Sequence, residues 1–212
     1  AVNDAPVLAA VDTVSFDEDD SLSITLSASD VDGDDLTYSI SGGTNIEATV
    51  VGTTVNFIAS QDFNGSEEFV ATASDGDLSS SQSFTVTVNA VNDAPVLAAV
   101  DTVTFAEDGS LSINLSASDV DGDDLTYSVT GGEQITATVD GTTVSFAATQ
   151  DFNGSEEFTA TVSDGNLVAS QTFTVTVTAV NDAPVLAAVD TVSFDEDDSL
   201  SITLSASDVD GD

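Results

Sequence analysis

The chain has 212 residues, 41% of them hydrophobic, and sets 39 Asp and Glu against no Lys, Arg or His, a formal charge of −39, with 11 Phe and no Cys. That composition excludes side-chain salt bridges, disulfides and thiolate metal sites, and it makes nucleic acid and anionic lipid poor partners because both require a basic surface. So apolar a chain is not a disordered acidic tail, and cations from solution must offset the carboxylate repulsion that opposes a compact state.

The heptapeptide VNDAPVL stands at Val2–Leu8, again at Val91–Leu97 and again at Val180–Leu186, a step of 89 residues. That step far exceeds the roughly 20–50 residues of solenoid repeats, so each unit should carry its own core. The expected organisation is a first repeat over 1–91, a second over 92–180 and the opening part of a third over 181–212. The third part alone is too short to close a core, which points to a longer chain or to a partner that completes it. No signal peptide or apolar run of roughly 18 residues is visible, so any export signal or anchor is expected outside this stretch.

In the first repeat, Val7 to Phe16 reads as one extended strand before an acidic turn at 17–20. Ser21 to Ala28 alternates, with Leu22, Ile24, Leu26 and Ala28 on one face and hydroxyls on the other. After the loop SDVDGDD come a strand at Leu36 to Ile40, a Gly-Gly turn at 41–44 and a strand at Ile46 to Val50. Gly52 opens a hairpin into Thr54 to Ile58. The loop SQDFNGS leads to Glu67 to Ala73, the SDGD turn follows, and Gln82 to Val88 ends the repeat. About seven short strands with no helical periodicity predict an all-β fold of tandem immunoglobulin-like or cadherin-like Greek-key β-sandwiches. The prolines fall only in the linkers, where a missing N–H breaks no ladder.

The two full repeats differ at 20 of 89 positions, and residues 179–212 match residues 1–34 without a change, a pattern expected where the number of modules matters. Asp17 and Asp20 become Ala106 and Gly109, so those two acids are not essential to a shared role. Without His, Lys or Cys no serine has an ordinary activating base. A carboxylate pair could serve a glycosidase, but the acids lie in loops, with no Trp and only two Tyr, Tyr38 and Tyr127, to stack against sugar rings, so no enzymatic activity is expected. Clustered Asp, Glu and Asn oxygens suit Ca2+, which takes six to eight hard ligands; the plain alternative is a solvated acidic loop. The DVDGDD loop fails the EF-hand pattern, because its glycine comes fourth and no Glu stands twelfth. Phe63 and Phe152 read as covers for the core end, and Gly65 and Gly154 as turn residues with positive φ. The triplets at Asn64, Asn114 and Asn153 match the glycosylation acceptor pattern.

The string ASDVDGDDLTYSI resembles the cadherin segment in which Asp-x-Asp precedes Tyr-Ser-Ile, and VNDAP resembles the cadherin interdomain linker. DVDGD, DFNG, SDG and VNDAP in fixed order at a constant step are similar, over the whole chain, to the cadherin-like tandem repeats of large type I-secreted RTX surface adhesins of bacteria. The resemblance implies calcium at each joint. At the first it nominates Glu18, Asp62 and Asn64, then Asn92 and Asp93 of the linker, then Asp119, Asp121 and Asp164. At the second it nominates Glu107, Asp151, Asn153, Asn181, Asp182, Asp208 and Asp210. The leading set of the first repeat would be Asn3, Asp4, Asp30, Asp32 and Asp75. The cadherin Asp-x-Glu is Asp62-x-Asn64 here, one carboxylate fewer; Asp19 and Asp108 could replace the glutamates as ligands, and Asp34 and Asp35 stay open between ligands and solvated acids.

The function implied is a calcium-rigidified extender of a bacterial cell-surface adhesin, outside the cell, whose partners are calcium ions and adjacent repeats, with the surface target bound by other domains. The alternatives are a calcium-dependent carbohydrate- or protein-binding adhesion module and a spacer in a large secreted enzyme. A halophile's solubility charge would instead spread the acids over every wet face.

Overall fold

A computed structural model of the chain describes residues 2–211, and all its regular structure is β. The backbone divides into two units at residues 92 and 93.

In the first unit the strands are β1 Val7–Leu8, β2 Val14–Asp17, β3 Ser21–Thr25, β4 Ala28–Ser29, β5 Thr37–Gly42, β6 Ile46–Val51, β7 Thr54–Ala59, β8 Gly65–Ser74 and β9 Ser79–Asn89. A four-stranded sheet runs β2-β9-β8-β5, a three-stranded sheet runs β3-β7-β6, and β1 pairs with β4. Between the two larger sheets lie Phe57, Phe69, Phe84, Val55, Val86 and Ile46, all buried. The Phe57 and Phe69 rings meet edge to face at 5.3 Å, and Phe84 is 6.1 Å from each. This is the aromatic geometry a packed sandwich core favours.

Two strand expectations need correction. The stretch 7–16 is broken, not continuous: β1 pairs antiparallel with β4, whereas β2 pairs parallel with β9. Crossing between sheets leaves amides without ladder partners, and side chains of β9 supply them. Leu8 N–H donates to Ser80 Oγ (3.1 Å) and Val11 N–H to Gln82 Oε1 (3.0 Å). Likewise 21–28 splits into β3 and β4, and Leu26 between them is buried. Alternation reads the face of a side chain but not the partner of its backbone, so it did not reveal either break.

The second unit repeats the arrangement with β10 Val96–Leu97, β11 Val103–Ala106, β12 Ser110–Asn114, β13 Ala117–Ser118, β14 Thr126–Gly131, β15 Ile135–Asp140, β16 Thr143–Ala148, β17 Gly154–Ser163 and β18 Val168–Thr178. Its sheets are β11-β18-β17-β14 and β12-β16-β15, around Phe146, Phe158 and Phe173. This unit also contains β19 Val185–Leu186 paired with β20 Ala206–Ser207.

Candidate metal centre

The acids gather where turns reverse the chain, and backbone N–H groups hold several of them. In the first unit Glu18 is 4% exposed, and Val91 N–H donates to its Oε1 at 2.6 Å. Asp30 Oδ1 accepts from the N–H groups of Asp32 (2.8 Å) and Gly33 (3.1 Å). Asp4 N–H donates to Asp32 Oδ2 (2.9 Å), and Asn3 Nδ2 to Asp75 Oδ2 (2.9 Å). Asp75 Oδ1 also accepts from Asp77 and Leu78, and the N–H of Leu78, then that of Asp77, does most to hold its carboxyl below the usual range. Asp30 and Asp75 each form an Asx-type turn, in which a short acid satisfies amides two or three residues on, whereas the bonds to Glu18, to Asp32 Oδ2 and from Asn3 join distant segments.

These bonds bring carboxylates together. Oxygens of Asp30, Asp32 and Asp34 lie within 4.8 Å of one another. Burial, then the charges of Asp30, Asp32, Asp75 and Asp35, push the Asp34 carboxyl up. Asp30 Oδ2 is buried without a hydrogen-bond partner among the described residues. Asp62 sits in the left-handed region (φ 56°), and Asn64 is exposed.

The second unit holds a larger constellation. Glu107 is 4% exposed and its Oε1 accepts from Val180 N–H. Asp182 N–H donates to Asp210 Oδ2 (2.6 Å), and Asp210 N–H to Asp208 Oδ1 (3.0 Å). Oxygens of Glu107, Asp182 and Asp210 fall within 4.8 Å of one another, as do those of Asp108, Asp151 and Asp182. Asp182 therefore belongs to both groups. Burial, then the charges of Asp210, Asp108, Asp151 and Glu107, raise its carboxyl. Asp151 repeats the left-handed backbone (φ 56°), while Asn153 and Asn181 are exposed. Elsewhere in this unit Asp93 N–H donates to Asp121 Oδ2 (2.8 Å), Asp121 N–H to Asp119 Oδ1 (3.0 Å), and Asp164 Oδ1 accepts from Asn166 and Leu167 (2.6 Å each). Asn92 is half-buried at the end of the first unit. Asp119 Oδ2, like Asp30 Oδ2, is buried without a hydrogen-bond partner. Burial, then Asp119, Asp121, Asp164 and Asp124, raise Asp123.

Three carboxylates this close repel strongly, most of all in the Glu107 group where one is buried, and the chain has no cationic side chain to relieve them. Hard oxygen donors suit a divalent cation of Ca2+ type; the Glu107 group adds a buried acid, and Asp30 and Asp119 each present a buried carboxylate oxygen without a hydrogen-bond partner among the described residues. Asp108, named in sequence only as a substitute ligand, joins Asp151 and Asp182. Its positive φ (59°) lies in the tight turn after Glu107, a signal that the sequence carries only as an acidic turn.

Fold and site together define a chain of tandem immunoglobulin-like sandwiches with acid-rich turns. The model of the bacterial Ig domain family matches residues 3–89 and again 92–178, and the chain belongs to that family. Domains of this family are usually extracellular and typically non-catalytic. Chitinase A of Pseudoalteromonas piscicida is 30% identical over 182 residues, 82% of this chain, which spans 22% of the chitinase. Human protocadherin-24 EC1-2 has a similar fold, with a TM-score of 0.52 and 19% identity over 83% of this chain and 100% of that one. An endo-fucoidan hydrolase of glycoside hydrolase family 107 matches at a TM-score of 0.38 and 22% identity, over 83% of this chain and 29% of the hydrolase.

Proposed function

We propose that the chain is a calcium-rigidified extender of a bacterial cell-surface adhesin of the type I-secreted RTX class, holding a distal binding domain away from the cell. The observation that carries this reading is the pair of carboxylate groups sharing Asp182, with buried Glu107 among them, in a chain without one basic side chain. Glu107 and Asp151 come from the body of the second repeat, and Asp182 and Asp210 from the linker and opening loop that follow. Ions bound in the two groups, which also include Asp108, convert mutual repulsion into shared coordination, so the linker becomes stiff when loaded and loose when stripped. By repetition of sequence, the nominated acids of the first repeat have the same role. The ion's part is electrostatic: it supplies charge neutralisation and a rigid oxygen cage, with no bond made or broken.

Small-angle scattering or electron microscopy of the chain in chelator and in millimolar calcium tests this. The reading expects straighter particles and a narrower spread of lengths with calcium; equal distributions would overturn it.

A second reading, a spacer in a large secreted enzyme, draws on the 30% identity to a chitinase of which the chain spans 22%. It predicts the same joints with a catalytic domain, not an adhesive one, at the end of the chain.

A further inference from the structure

Glu67 and Glu156, at the same register of β8 and β17, stand apart from every carboxylate group described above. Glu67 turns back onto the segment before β6. Thr44 N–H donates to its Oε2 (2.8 Å), Asn45 N–H to its Oε1 (3.0 Å) and Ile46 N–H to its Oε2 (3.0 Å). One carboxylate thus gathers three successive amides that follow Gly43. A side chain at Gly43 would collide with Ile46 O at 2.3 Å and with the Phe69 ring, so the turn closes tightly on the core.

The peptide so held is the anchor of the next loop. Asn45 O accepts from Ser60 N–H (2.7 Å) and Ser60 Oγ (3.1 Å), and Ser60 O accepts from Phe63 N–H (3.1 Å). The last bond closes a four-residue turn whose third residue is Asp62, in the left-handed backbone region that residues other than glycine adopt infrequently, Asp more readily than most. The second unit repeats the relay with other residues. Glu156 takes the N–H groups of Glu133 (3.1 Å), Gln134 (2.9 Å) and Ile135 (2.9 Å). Gln134 O accepts from Thr149 N–H (2.7 Å), Thr149 O accepts from Phe152 N–H (3.1 Å), and Asp151 has the same φ as Asp62. Three of the 20 differences between repeats fall on this path, at Thr44/Glu133, Asn45/Gln134 and Ser60/Thr149, and the bonds persist through all three.

We propose that Glu67 and Glu156 are positioning residues that fix Asp62 and Asp151 in ligand geometry before any ion arrives, each acting through two peptide carbonyls on the loop of its own repeat. This rests on the calcium reading above. The relay removes the entropy that a free loop would lose on closing round an ion, so it acts on affinity without touching the metal.

The test is a site-resolved calcium titration of the whole chain by amide NMR, with hydrogen exchange in chelator. E156Q is expected to weaken binding about tenfold as read at Asp151 and Phe152, the scale of lost outer-shell support. Asp62 and Phe63 should be unaffected, and Phe152 N–H should exchange faster in chelator while the β17–β18 ladder amides stay protected. E157Q removes the same charge one residue away on an exposed side chain and should change nothing. E156D, a carboxylate one methylene short, serves if E156Q does not fold and should also weaken binding. Equal effects of E156Q and E157Q, or unchanged affinity in E156Q or E156D while D151N loses affinity, would overturn the positioning role alone. Unchanged affinity in D151N would remove the calcium reading at this loop, and the positioning role with it.

Discussion

Residues 2–33 and 180–211 have the same sequence in different surroundings. In the first copy Leu8, Phe16 and Leu26 are 5%, 7% and 2% exposed; their counterparts Leu186, Phe194 and Leu204 are 60%, 64% and 58% exposed. The strands β2 and β3 of the first copy have no counterpart in the last, because their ladders require β9 and β7. The short pair β19–β20 forms nevertheless, and the bonds from Asp182 to Asp210 and from Asp210 to Asp208 match those of the first copy's acidic loop. The linker and its acidic loop are thus a local device, whereas the apolar strands take their structure from tertiary pairing.

The largest effect expected from this contrast is a matched pair of truncations. Phe16→Ala should destabilise the first unit by about 3–5 kcal/mol, the range for an aromatic removed from a core, whereas Phe194→Ala should stay within about 0.5 kcal/mol. Urea unfolding measures both, and equal losses would mean that residues 180–211 pack in solution.

Next in size is calcium linkage. At a hundredfold excess over its dissociation constant one bound ion adds about 2.7 kcal/mol. Glu107→Gln should forfeit most of the stabilisation from its own group, while Glu196→Gln, the same position on an exposed side chain, should keep it. Thermal unfolding in calcium and in chelator separates the two, and an equal response would place the buried acid outside the site.

A smaller effect is the pH dependence in chelator, in which two sets of acids oppose each other. Burial acts against ionised Glu67, yet the N–H groups of Asn45, Thr44 and Ile46 outweigh it, so its folded value lies below the usual 4.5; the N–H groups of Gln134, Ile135 and Glu133 do the same for Glu156. Their stabilisation is complete above that usual value and disappears as pH falls through the lowered one. Asp34, Asp123 and Asp182 are raised above 3.8 by burial and by neighbouring acids. Their ionised forms therefore weaken the fold, and protonation as pH falls through the raised values relieves them. That relief opposes the acid loss from Glu67 and Glu156, and the double change Glu67→Gln with Glu156→Gln should reduce the acid loss, measured by urea unfolding in chelator across the acid range.

The smallest effect compares the full repeats at one position. Ser80 accepts the Leu8 amide, while the second repeat has Ala169 at that place. Ser80→Ala should cost about 1 kcal/mol, the usual net value of such a bond, and Ala169→Ser should recover a similar amount, read from the unfolding midpoints.

The sandwich was legible because its signals are local and repeated: alternating Phe and Val, glycine turns and prolines confined to linkers. The strand breaks near Leu8 and Leu26 were not, because they depend on which sheet pairs with each backbone. Among the nominated acids, the resemblance to cadherin-like repeats put Asp182 and Asp210 at one joint, and Asp182 N–H donates to Asp210 Oδ2. It could not show that Glu107 is buried, since Glu196 opens an equivalent turn and is exposed; burial comes from the body of the repeat. Glu67 looked like the ordinary start of a strand, and its role emerges only when the distant amides of 44–46 stand beside it.

The central claim, that carboxylates shared between linker and repeat bind calcium, is tested most directly at Asp182, which belongs to the Glu107 group and to the Asp151 group alike. Calorimetric titration of the wild-type chain and of Asp182→Asn should show calcium bound by the former and fewer ions bound by the latter. Unchanged stoichiometry and affinity in Asp182→Asn would contradict the account.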